Sequence, residues 1–575
     1  MHGRTAKAVG LALSSALCAL VVGGGWACGS HTPPPSHDAG VPPAAPAFDA
    51  GLDAGGPAKR AGRPPRIYAG KYVVTIRNAA NPEAPRIGYL RAGAILRVRN
   101  TEPVGAQSGC LAGFWELETG GWVCNRKDVV AFEGRRPPER PPAQPDLDAP
   151  LPYQYGYNRR DGTAMYRRLP TDEEAAEFEG YRIPGLEEPD AGEGAPGEGG
   201  GEATAGGDVV PEGAGVAAAG GENAGGNVPS GGTQRGRSDA GVGAIVRRVV
   251  ETEGRATSGE DSIASPGELS QEASIDAGVS LATLMGDPNS VLMRRLVKGF
   301  YVSLDREMHA RARRYWRTLS NGFIPFARVN VSRWPGFHGA ELDGETLALP
   351  VGFVMAENAS VLSRDADTGH TRRAPAPGKR SVFRIVGEET IRNTRYWVAG
   401  DGKLYRASDV RRIDAVTETP TGLAEDEKWI DVDLSSQSVV AYVGMRPVYV
   451  TLTSTGKITV PGDPELDRHT PSGDFRITSK HIAATMDGDT ASDGPYSIED
   501  VPYVMFFQLA YALHSAFWHN RFGYTKSHGC VNLAPLDAKW FFGWTLPVVP
   551  LGWHGAYPTP EVPGTRVIIR GVTPT

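Results

Sequence analysis

A cysteine and a histidine separated by one glycine form the pattern in this sequence that is best suited to chemistry. The string is Ser527-His528-Gly529-Cys530-Val531-Asn532. In extended backbone, residues i and i+2 point to the same side, so the His528 imidazole and the Cys530 thiol can come within contact range. A thiol is mostly protonated at neutral pH, and a neighbouring imidazole activates it by accepting the proton or by pairing with the thiolate as a cation. The pattern therefore predicts a nucleophilic cysteine with a histidine base.

Gly529 adds a second element of such a site, because a glycine lets the backbone turn sharply and leaves its amide open to a substrate. Backbone amides in this position can bind the oxyanion of an acyl-transfer intermediate. Two other interpretations of the string are a buried cysteine beside a histidine that caps a turn, and a zinc site. Zinc would need further ligands at metal spacing, and no second cysteine lies nearby. We expect neither a metal nor a cofactor.

The N-terminus indicates export. Arg4 and Lys7 precede a short apolar run, 8–22, which small residues follow. This is the pattern of a secretory signal peptide, assigned to residues 1–27. Ala27-Cys28-Gly29 is similar to the cleavage site of bacterial lipoproteins, so Cys28 is predicted to carry lipid, with ordinary cleavage nearby as the alternative. The protein is then expected in the periplasm, anchored to a membrane.

The remaining cysteines divide into a pair and a single residue. Cys110 and Cys124 lie in one small β-rich segment of an exported chain, which favours a disulfide over two separately buried thiols. Cys18 lies inside the signal peptide. Cys530 is left over, and an odd cysteine in an exported protein is a candidate reactive thiol.

Composition divides the 575 residues into ordered segments and linkers. Glycine (73 residues) and proline (46 residues) are abundant and concentrated in tracts that have too few large apolar residues to form a core. The formal charge of −6 gives no footprint for nucleic acid. The predicted order is a signal peptide, 1–27; a Pro/Ala-rich tether, 28–65; a β module, 66–134; a Pro-rich and then Gly/Ala-rich low-complexity linker, 135–290; a second β module, 291–420; and a C-terminal domain, 427–571.

Short strand signals separated by turn residues make the ordered segments mainly β. The first module ends in Gly120-Gly121-Trp122-Val123-Cys124 and resembles the bacterial SH3-like domains of envelope proteins. This resemblance implies a small barrel that serves as a binding or spacer module. The second module is weakly similar to the first. A basic stretch around 311–317 is interpreted as a solvated helix. In the C-terminal domain, alternation predicts a hairpin over 430–443 and a closing strand at 567–569, with one helix near 535–544.

The C-terminal domain resembles the L,D-transpeptidase catalytic domain, also called the YkuD family. The core motif of that family is Ser-His-Gly-Cys, one residue, then Arg or Asn, and residues 527–532 match the Asn version. Thr470-Pro471-Ser472-Gly473-Asp474-Phe475 matches a Thr-Pro-x-Gly-x-Phe strand, and Ser454-Thr455-Gly456 matches a Ser-Thr-Gly turn. The resemblance covers about residues 427–571 and implies a β-sandwich with a short helix.

The resemblance also implies catalytic roles. Cys530 would be the nucleophile, and His528 the general base and later the proton donor. The amides of Gly529 and Cys530 would bind the oxyanion. Ser527, through its backbone carbonyl, would hold the His528 ring in its working tautomer.

Substrate contacts are assigned to four residues: His514, Asn532, Phe517 and Trp518. His514 matches a histidine that the family contributes to the pocket, although Ser515 replaces the glycine that usually follows. Asn532 would support the polar floor of the site. Phe517 and Trp518 would wall the donor-peptide cleft, with packing beneath a loop as the alternative.

The activity that the resemblance implies is peptidoglycan cross-linking. Cys530 would attack the tetrapeptide stem, release D-Ala and hold a thioester that a neighbouring stem amine resolves into a 3→3 cross-link. Water, a free D-amino acid or a lysine of a wall-linked protein are alternative acceptors. Two other classes remain: a catalytically silent wall-binding protein, and a Cys–His envelope peptidase that hydrolyses stem peptides.

Overall fold

The computed structural model describes residues 64–133, 141–180, 280–457, 468–488 and 495–574. Within these ranges the chain is mainly β, which confirms the predicted fold class. The signal peptide, Cys28, nearly all of the tether and the low-complexity tract after residue 180 lie outside the described residues. In the part of the chain that the structure covers, no helix is both long and apolar enough to cross a bilayer.

The first module contains seven short strands within the range 66–134 that the sequence predicts for it. They are β1 (Arg66–Ala69), β2 (Val74–Arg77), β3 (Arg86–Leu90), β4 (Ile95–Arg97), β5 (Phe114–Glu116), β6 (Trp122–Cys124) and β7 (Val129–Phe132). Their inward-facing apolar residues, Ile67, Leu96 and Trp115 among them, form one core. Cys110 and Cys124 are joined by a disulfide, S–S 2.01 Å. The SH3-like resemblance of this module stays a prediction.

The second module begins earlier than predicted. Its elements are β8 (Gln154–Asn158), β9 (Thr163–Tyr166), α1 (Asp172–Phe178), a 3₁₀ turn (Ala282–Leu284), β10 (Leu292–Leu296), β11 (Tyr301–Ala310), β12 (Arg313–Thr318), β13 (Phe323–Pro325), a 3₁₀ turn (Phe326–Arg328) and β14 (Val329–Val331). The prediction that 135–290 is a linker throughout is therefore wrong for 154–178. β8 pairs with β11 and β14, and β9 pairs with β10, so these strands find their partners more than 100 residues later.

The helix predicted over 311–317 is also wrong, because this stretch is a hairpin. Arg311 takes a left-handed conformation, φ 51°, at the turn between β11 and β12. Tyr315 and Thr318 of β12 are buried, whereas its three arginines are not. The arginines face acidic partners: Arg314 pairs with Glu307 across the strands, and Arg313 with Glu179 after α1.

The segment predicted as one module over 291–420 is two. After β15 (Ala340–Glu341), a third module follows with its own seven-stranded sheet. Its strands are β16 (Val351–Val354), β17 (Val361–Arg364), β18 (Thr371–Arg373), β19 (Val382–Ile391), β20 (Thr394–Ala399), β21 (Leu404–Arg406) and β22 (Val410–Ile413), with a 3₁₀ turn (Ala407–Asp409) before β22. This order of hairpin, strand, 3₁₀ turn and strand repeats that of β11–β14.

The C-terminal domain is a sandwich of two sheets. Its elements are β23 (Lys428–Asp433), β24 (Ser438–Val443), β25 (Arg446–Leu452), β26 (Gly473–Arg476), β27 (Ser479–Gly488), β28 (Tyr496–Gln508), β29 (Tyr511–Ser515), β30 (Val531–Leu533), α2 (Pro535–Trp544), β31 (Gly555–Ala556) and β32 (Arg566–Arg570). One sheet has the order β15-β25-β24-β23-β32-β26. β27 to β30 form the other, and the apolar faces of both meet in one core with α2. The predicted hairpin, closing strand and helix are confirmed.

The long hairpin of β27 and β28 joins this domain to the first two modules. β28 pairs with β11, and β27 is linked through β31 to β3, so one sheet runs across three parts of the chain. Two consecutive acidic residues of β28 form ion pairs with the first two modules. Glu499 pairs with Arg294 of the second module at 2.8 Å, and Asp500 pairs with Arg91 of the first at 2.6 Å.

Candidate active site

Cys530 lies immediately before β30, at the end of a loop that returns from β29. It is a half-buried free cysteine. Its thiol lies 3.6 Å from the Ala510 carbonyl oxygen. Burial raises the pKa of Cys530 to about 11, although a hydrogen bond from the Ala512 amide opposes this shift. The sulfur is therefore a protonated thiol at neutral pH and needs a base before it can attack.

The three motifs that carry the family resemblance meet around the loop before Cys530. The Thr470 hydroxyl donates to the Gly529 carbonyl at 2.7 Å and accepts from the Gly456 amide at 2.9 Å. Gly456 in turn forms a bridge with Ser527. Thr470 therefore holds the turn of one motif against the loop of another, which is a role that spacing alone does not indicate.

Gly529 is required by its surroundings. Its φ is +120°, in a region that side chains rarely adopt, and an added Cβ would lie 2.5 Å from the Tyr511 ring. The Ser527 hydroxyl donates to the Cys530 carbonyl and accepts from the Gly529 amide at 3.2 Å. The Gly529 amide therefore has a hydrogen-bond partner in this structure, and its role in binding the oxyanion stays a prediction. Ser527 fixes the turn through its hydroxyl.

His528 is half-buried beside the end of the long hairpin. Its ring stacks on Tyr496 of β28, with centroids 4.9 Å apart and planes 14° from parallel. The Ser527 carbonyl accepts from the Lys457 amide at 3.3 Å. The proposed orientation of His528 by that carbonyl stays a prediction. No local pattern in the sequence identifies Tyr496, because 31 residues separate it from His528.

The sequence predicts His514 as a substrate contact, but its position in the structure suits a general base. β29 and β30 run parallel, with His514 opposite Asn532, and Cys530 packs beside Ala512 in the same apolar cluster. Residues 512 and 514 point to one face of the sheet, so the imidazole and the thiol share that face. The parallel pairing thus places the strand that carries His514 next to the strand that Cys530 precedes.

The hydrogen bond of His514 sets its tautomer. Nδ1 lies 3.1 Å from the Ser515 carbonyl oxygen, which can only accept, so Nδ1 carries the proton and Nε2 is left as an acceptor. Burial lowers the pKa of His514 to about 4, and the ring is neutral at pH 7. A neutral imidazole with a fixed acceptor nitrogen is the form in which a general base works.

Phe517, Trp518 and Asn532 were all predicted to contact substrate, and the structure places Phe517 differently from the other two. Phe517 is 2% exposed and packs against Tyr155 of the second module, ring centroids 4.3 Å apart, which fits the alternative of packing beneath a loop. No sequence pattern indicates this packing, because Tyr155 lies more than 350 residues before Phe517. Trp518 is half-buried and stacks on His514 at 5.8 Å. The Asn532 side-chain amide forms a hydrogen bond with His519 Nε2 at 3.0 Å.

Metal ligands are not gathered at the site: within the described ranges no three His, Cys, Asp or Glu side chains are arranged to hold an ion. The arrangement is a half-buried thiol, a neutral imidazole with an acceptor nitrogen, and a glycine turn held by hydroxyl groups. Such a set can perform acyl transfer through a thioester.

Fold and site together define a β-sandwich domain with a half-buried free cysteine directly before a strand that pairs with the strand of His514. Residues 427–569 match the family model of YkuD, the L,D-transpeptidase catalytic domain. The chain therefore carries an L,D-transpeptidase catalytic domain of the YkuD family, as the motifs predict.

Relatives share only part of the chain. L,D-transpeptidase 1 from Mycobacterium tuberculosis is 28% identical over 208 residues, which cover 33% of this chain and 80% of that protein. A crystallised Enterococcus faecium L,D-transpeptidase is 25% identical, with a TM-score of 0.19; the match covers 25% of this chain and half of that one. The E. faecium catalytic domain acylated by ertapenem is 28% identical, with a TM-score of 0.20; the match covers 26% of this chain and all of that one.

Proposed function

We propose that this protein forms 3→3 cross-links between peptidoglycan stem peptides through a thioester on Cys530. The observation that carries the proposal is the placement of a half-buried free thiol on the same sheet face as a neutral histidine whose Nδ1 is fixed by a carbonyl. The family match supports the reaction class, and the finer assignment of donor, acceptor and product is the proposal.

In the first half-reaction, the base removes the Cys530 proton as sulfur attacks the amide carbonyl that follows the L-centre of the third stem residue. The tetrahedral intermediate collapses with loss of the C–N bond. Terminal D-Ala leaves as an amine that takes the proton back from the imidazolium. The thioester retains the acylating potential of the amide, so no nucleotide is consumed.

In the second half-reaction, the side-chain amine of a neighbouring stem attacks the thioester. The new amide forms, the C–S bond breaks, and the thiol recovers its proton. Water, a free D-amino acid or a protein lysine would give a different product from the same acyl-enzyme. A wall-attached protein is thus an alternative acceptor.

The base in this proposal is His514, in place of His528. His514 has a defined tautomer, an acceptor nitrogen and a place on β29, the strand that pairs with β30 directly after Cys530, whereas the His528 ring is stacked on Tyr496. His514→Gln should therefore reduce acylation at least about 100-fold, the scale of a lost general base. His528→Gln should reduce it much less. The reverse order would return the role to His528.

The test uses the chain from residue 29 onward, incubated with purified tetrapeptide muropeptides and analysed by mass spectrometry. Cross-linked dimers with released D-Ala are expected. Shortened monomers would indicate a hydrolase, and no product would indicate a binding protein. Ertapenem should add covalently to Cys530 in the same chain, and Cys530→Ala should carry neither adduct nor product.

Location forms a separate part of the proposal. The N-terminal pattern of basic residues, apolar run and Ala27-Cys28-Gly29 supports export and a lipid anchor on Cys28 in the periplasm. Cys28→Ala in the full chain should move the protein from the membrane fraction to the soluble periplasmic fraction. A soluble wild-type protein would contradict the anchor.

A further inference from the structure

The loop that connects the two halves of the active site is held from both sides. This active-site loop, residues 516–526, runs from β29 to the turn before Cys530. On its inner side, the Gly523 amide donates to the Thr453 carbonyl at 2.7 Å, and the Ser454 hydroxyl donates to the Arg521 carbonyl at 2.8 Å. These bonds come from the same domain as the loop.

On its outer side, one arginine of the third module binds the loop. Arg380 Nη1 donates to the side-chain oxygen of Asn520 at 2.7 Å, and Nη2 donates to the Asn520 carbonyl. Nε donates to the Phe522 carbonyl at 3.2 Å. A planar guanidinium presents its donors in a fixed fork, so these three bonds define both position and orientation.

Arg380 holds this position in a strained backbone. Its φ is 65°, in the left-handed region that favours glycine or asparagine. Non-glycine residues persist in such conformations when the surrounding structure holds them, and they concentrate at functional sites. The side chain also lies over the Phe337 ring, 5.4 Å from its centroid, and Phe337 stacks on Phe522 of the loop at 5.7 Å.

The part of the loop that Arg380 holds carries two contacts of the site. Trp518 stacks on His514, and His519 is hydrogen-bonded to Asn532. Asn520 and Phe522 come directly after these residues. Any shift of the loop is therefore transmitted to the imidazole and to the asparagine opposite it.

We propose that Arg380 is a positioning residue for the L,D-transpeptidase reaction, through which the third module sets the geometry of the active-site loop. The inference rests on the proposed function, since it names a determinant of that same site. It assigns the third module a part in catalysis, beyond spacing or wall binding.

Three variants of the chain from residue 29 onward test this. Arg380→Gly removes the three bonds and at the same time relieves the backbone strain, so folding and catalysis should respond differently. Arg380→Lys keeps a charge over Phe337 but cannot span both carbonyls and the amide oxygen. Arg411→Met is the matched control, because Arg411 also donates from the third module to a carbonyl of the C-terminal domain, Ser436 at 2.7 Å, outside the loop.

The readouts are ertapenem acylation of Cys530, kcat and KM with tetrapeptide muropeptides, melting temperature, and hydrogen exchange of loop peptides. Arg380→Gly should lower the acylation rate and kcat by about 10- to 100-fold, because a misplacement of about 1 Å caused far from the chemistry can cost about 100-fold. KM and melting temperature should change little, and exchange should rise in 516–526 but not in β16–β22. Arg380→Lys should recover part of the rate.

Equal acylation rates for Arg380→Gly and wild type would overturn the inference, as would equal losses in Arg380→Gly and Arg411→Met. If wild type itself gives neither an adduct nor a product, the proposed function fails instead. In that case, unchanged exchange of 516–526 in Arg380→Gly would still count against the positioning role.

Discussion

Asp500→Asn should lower the free energy of unfolding by about 3–5 kcal/mol, because it leaves a buried guanidinium without a counter-ion. Arg91 and Asp500 meet in a bidentate pair, Nη1–Oδ1 2.6 Å and Nη2–Oδ2 2.9 Å, with side chains 8% and 2% exposed. The Ser303 hydroxyl donates to the same carboxylate at 2.5 Å. One substitution therefore disturbs the first module, the second module and β28 together.

Urea unfolding followed by tryptophan fluorescence measures this cost from the shift of the midpoint and the slope. Arg91→Met should cost a similar amount, since it leaves the carboxylate uncompensated. The double variant Arg91→Met/Asp500→Leu should cost clearly less than the sum. Lys403→Met, which breaks an exposed pair with Asp401, is the control and should cost less than about 1 kcal/mol. An Asp500→Asn midpoint equal to that of the control would refute the reasoning.

The same pair gives a pH dependence with a defined sign. Burial opposes ionisation of Asp500, but Arg91 outweighs it, and the pKa of Asp500 lies below its ordinary value. An acid whose pKa is lower in the folded state stabilises the fold above its unfolded pKa, about 3.9. Its contribution should be complete at pH 5 to 7 and be lost as the pH falls below about 3.9 through the folded pKa. Asp500→Asn should not show this loss.

Three further predictions concern the site and its surroundings. Cys530→Ser should give no ertapenem adduct by intact-mass spectrometry while its melting temperature stays within a few degrees of wild type; a persistent adduct would place the nucleophile elsewhere. Asp537→Ala removes the acceptor of three hydrogen bonds from buried donors and should cost about 2–4 kcal/mol in urea unfolding, and Asp537→Asn should cost less. Deletion of residues 190–240, a Gly/Ala-rich tract, should leave the ertapenem acylation rate unchanged, and a large decrease would show that the tract is more than a spacer.

Elements whose structure depends on neighbouring residues in the chain could be predicted from the sequence. The hairpin over 430–443 and the helix at Pro535–Trp544 follow from alternation and from a proline at a helix start. The catalytic domain could be predicted because the motif around Cys530 is contiguous. The match of the family model to residues 427–569 confirms that interpretation at the level of the domain.

Elements that depend on distant partners in the chain could not be predicted from the sequence. Residues 154–166 are short strands between low-complexity tracts, and only pairing with residues beyond 290 orders them. The arginines of 313–317 were interpreted as a helix face because their cross-strand acids are invisible in a local window. Phe517 was predicted to line a cleft, with packing beneath a loop as the alternative, and its partner Tyr155 lies outside any local window.

Distance also explains why the sequence predicts His528 as the base, whereas we propose His514. His528 is two residues from Cys530 in sequence, and proximity along the chain favoured it. A parallel pair of strands brings His514 to the same sheet face from 16 residues away, and such a crossover has no local signature. The carbonyl that fixes its tautomer comes from Ser515, where the family usually has glycine, and a backbone carbonyl is available whichever residue stands there.

The isolated fragment 420–575 should be less stable and should acylate more slowly than the chain from residue 29 onward, although it contains the whole family domain. Trp553 of this domain is part of the core of the first module, and Phe517 packs under Tyr155 of the second. Both rings would be exposed in the fragment, at about 1.5–3 kcal/mol each. Glu499 and Asp500 would lose their arginines on the hairpin whose Tyr496 stacks on His528. Melting temperature and the ertapenem acylation rate of the two proteins measure the difference. Equal values for both proteins would mean that the modules contribute nothing to the stability or activity of the domain. Lower values for the fragment would mean that the modules order the long hairpin of β27 and β28.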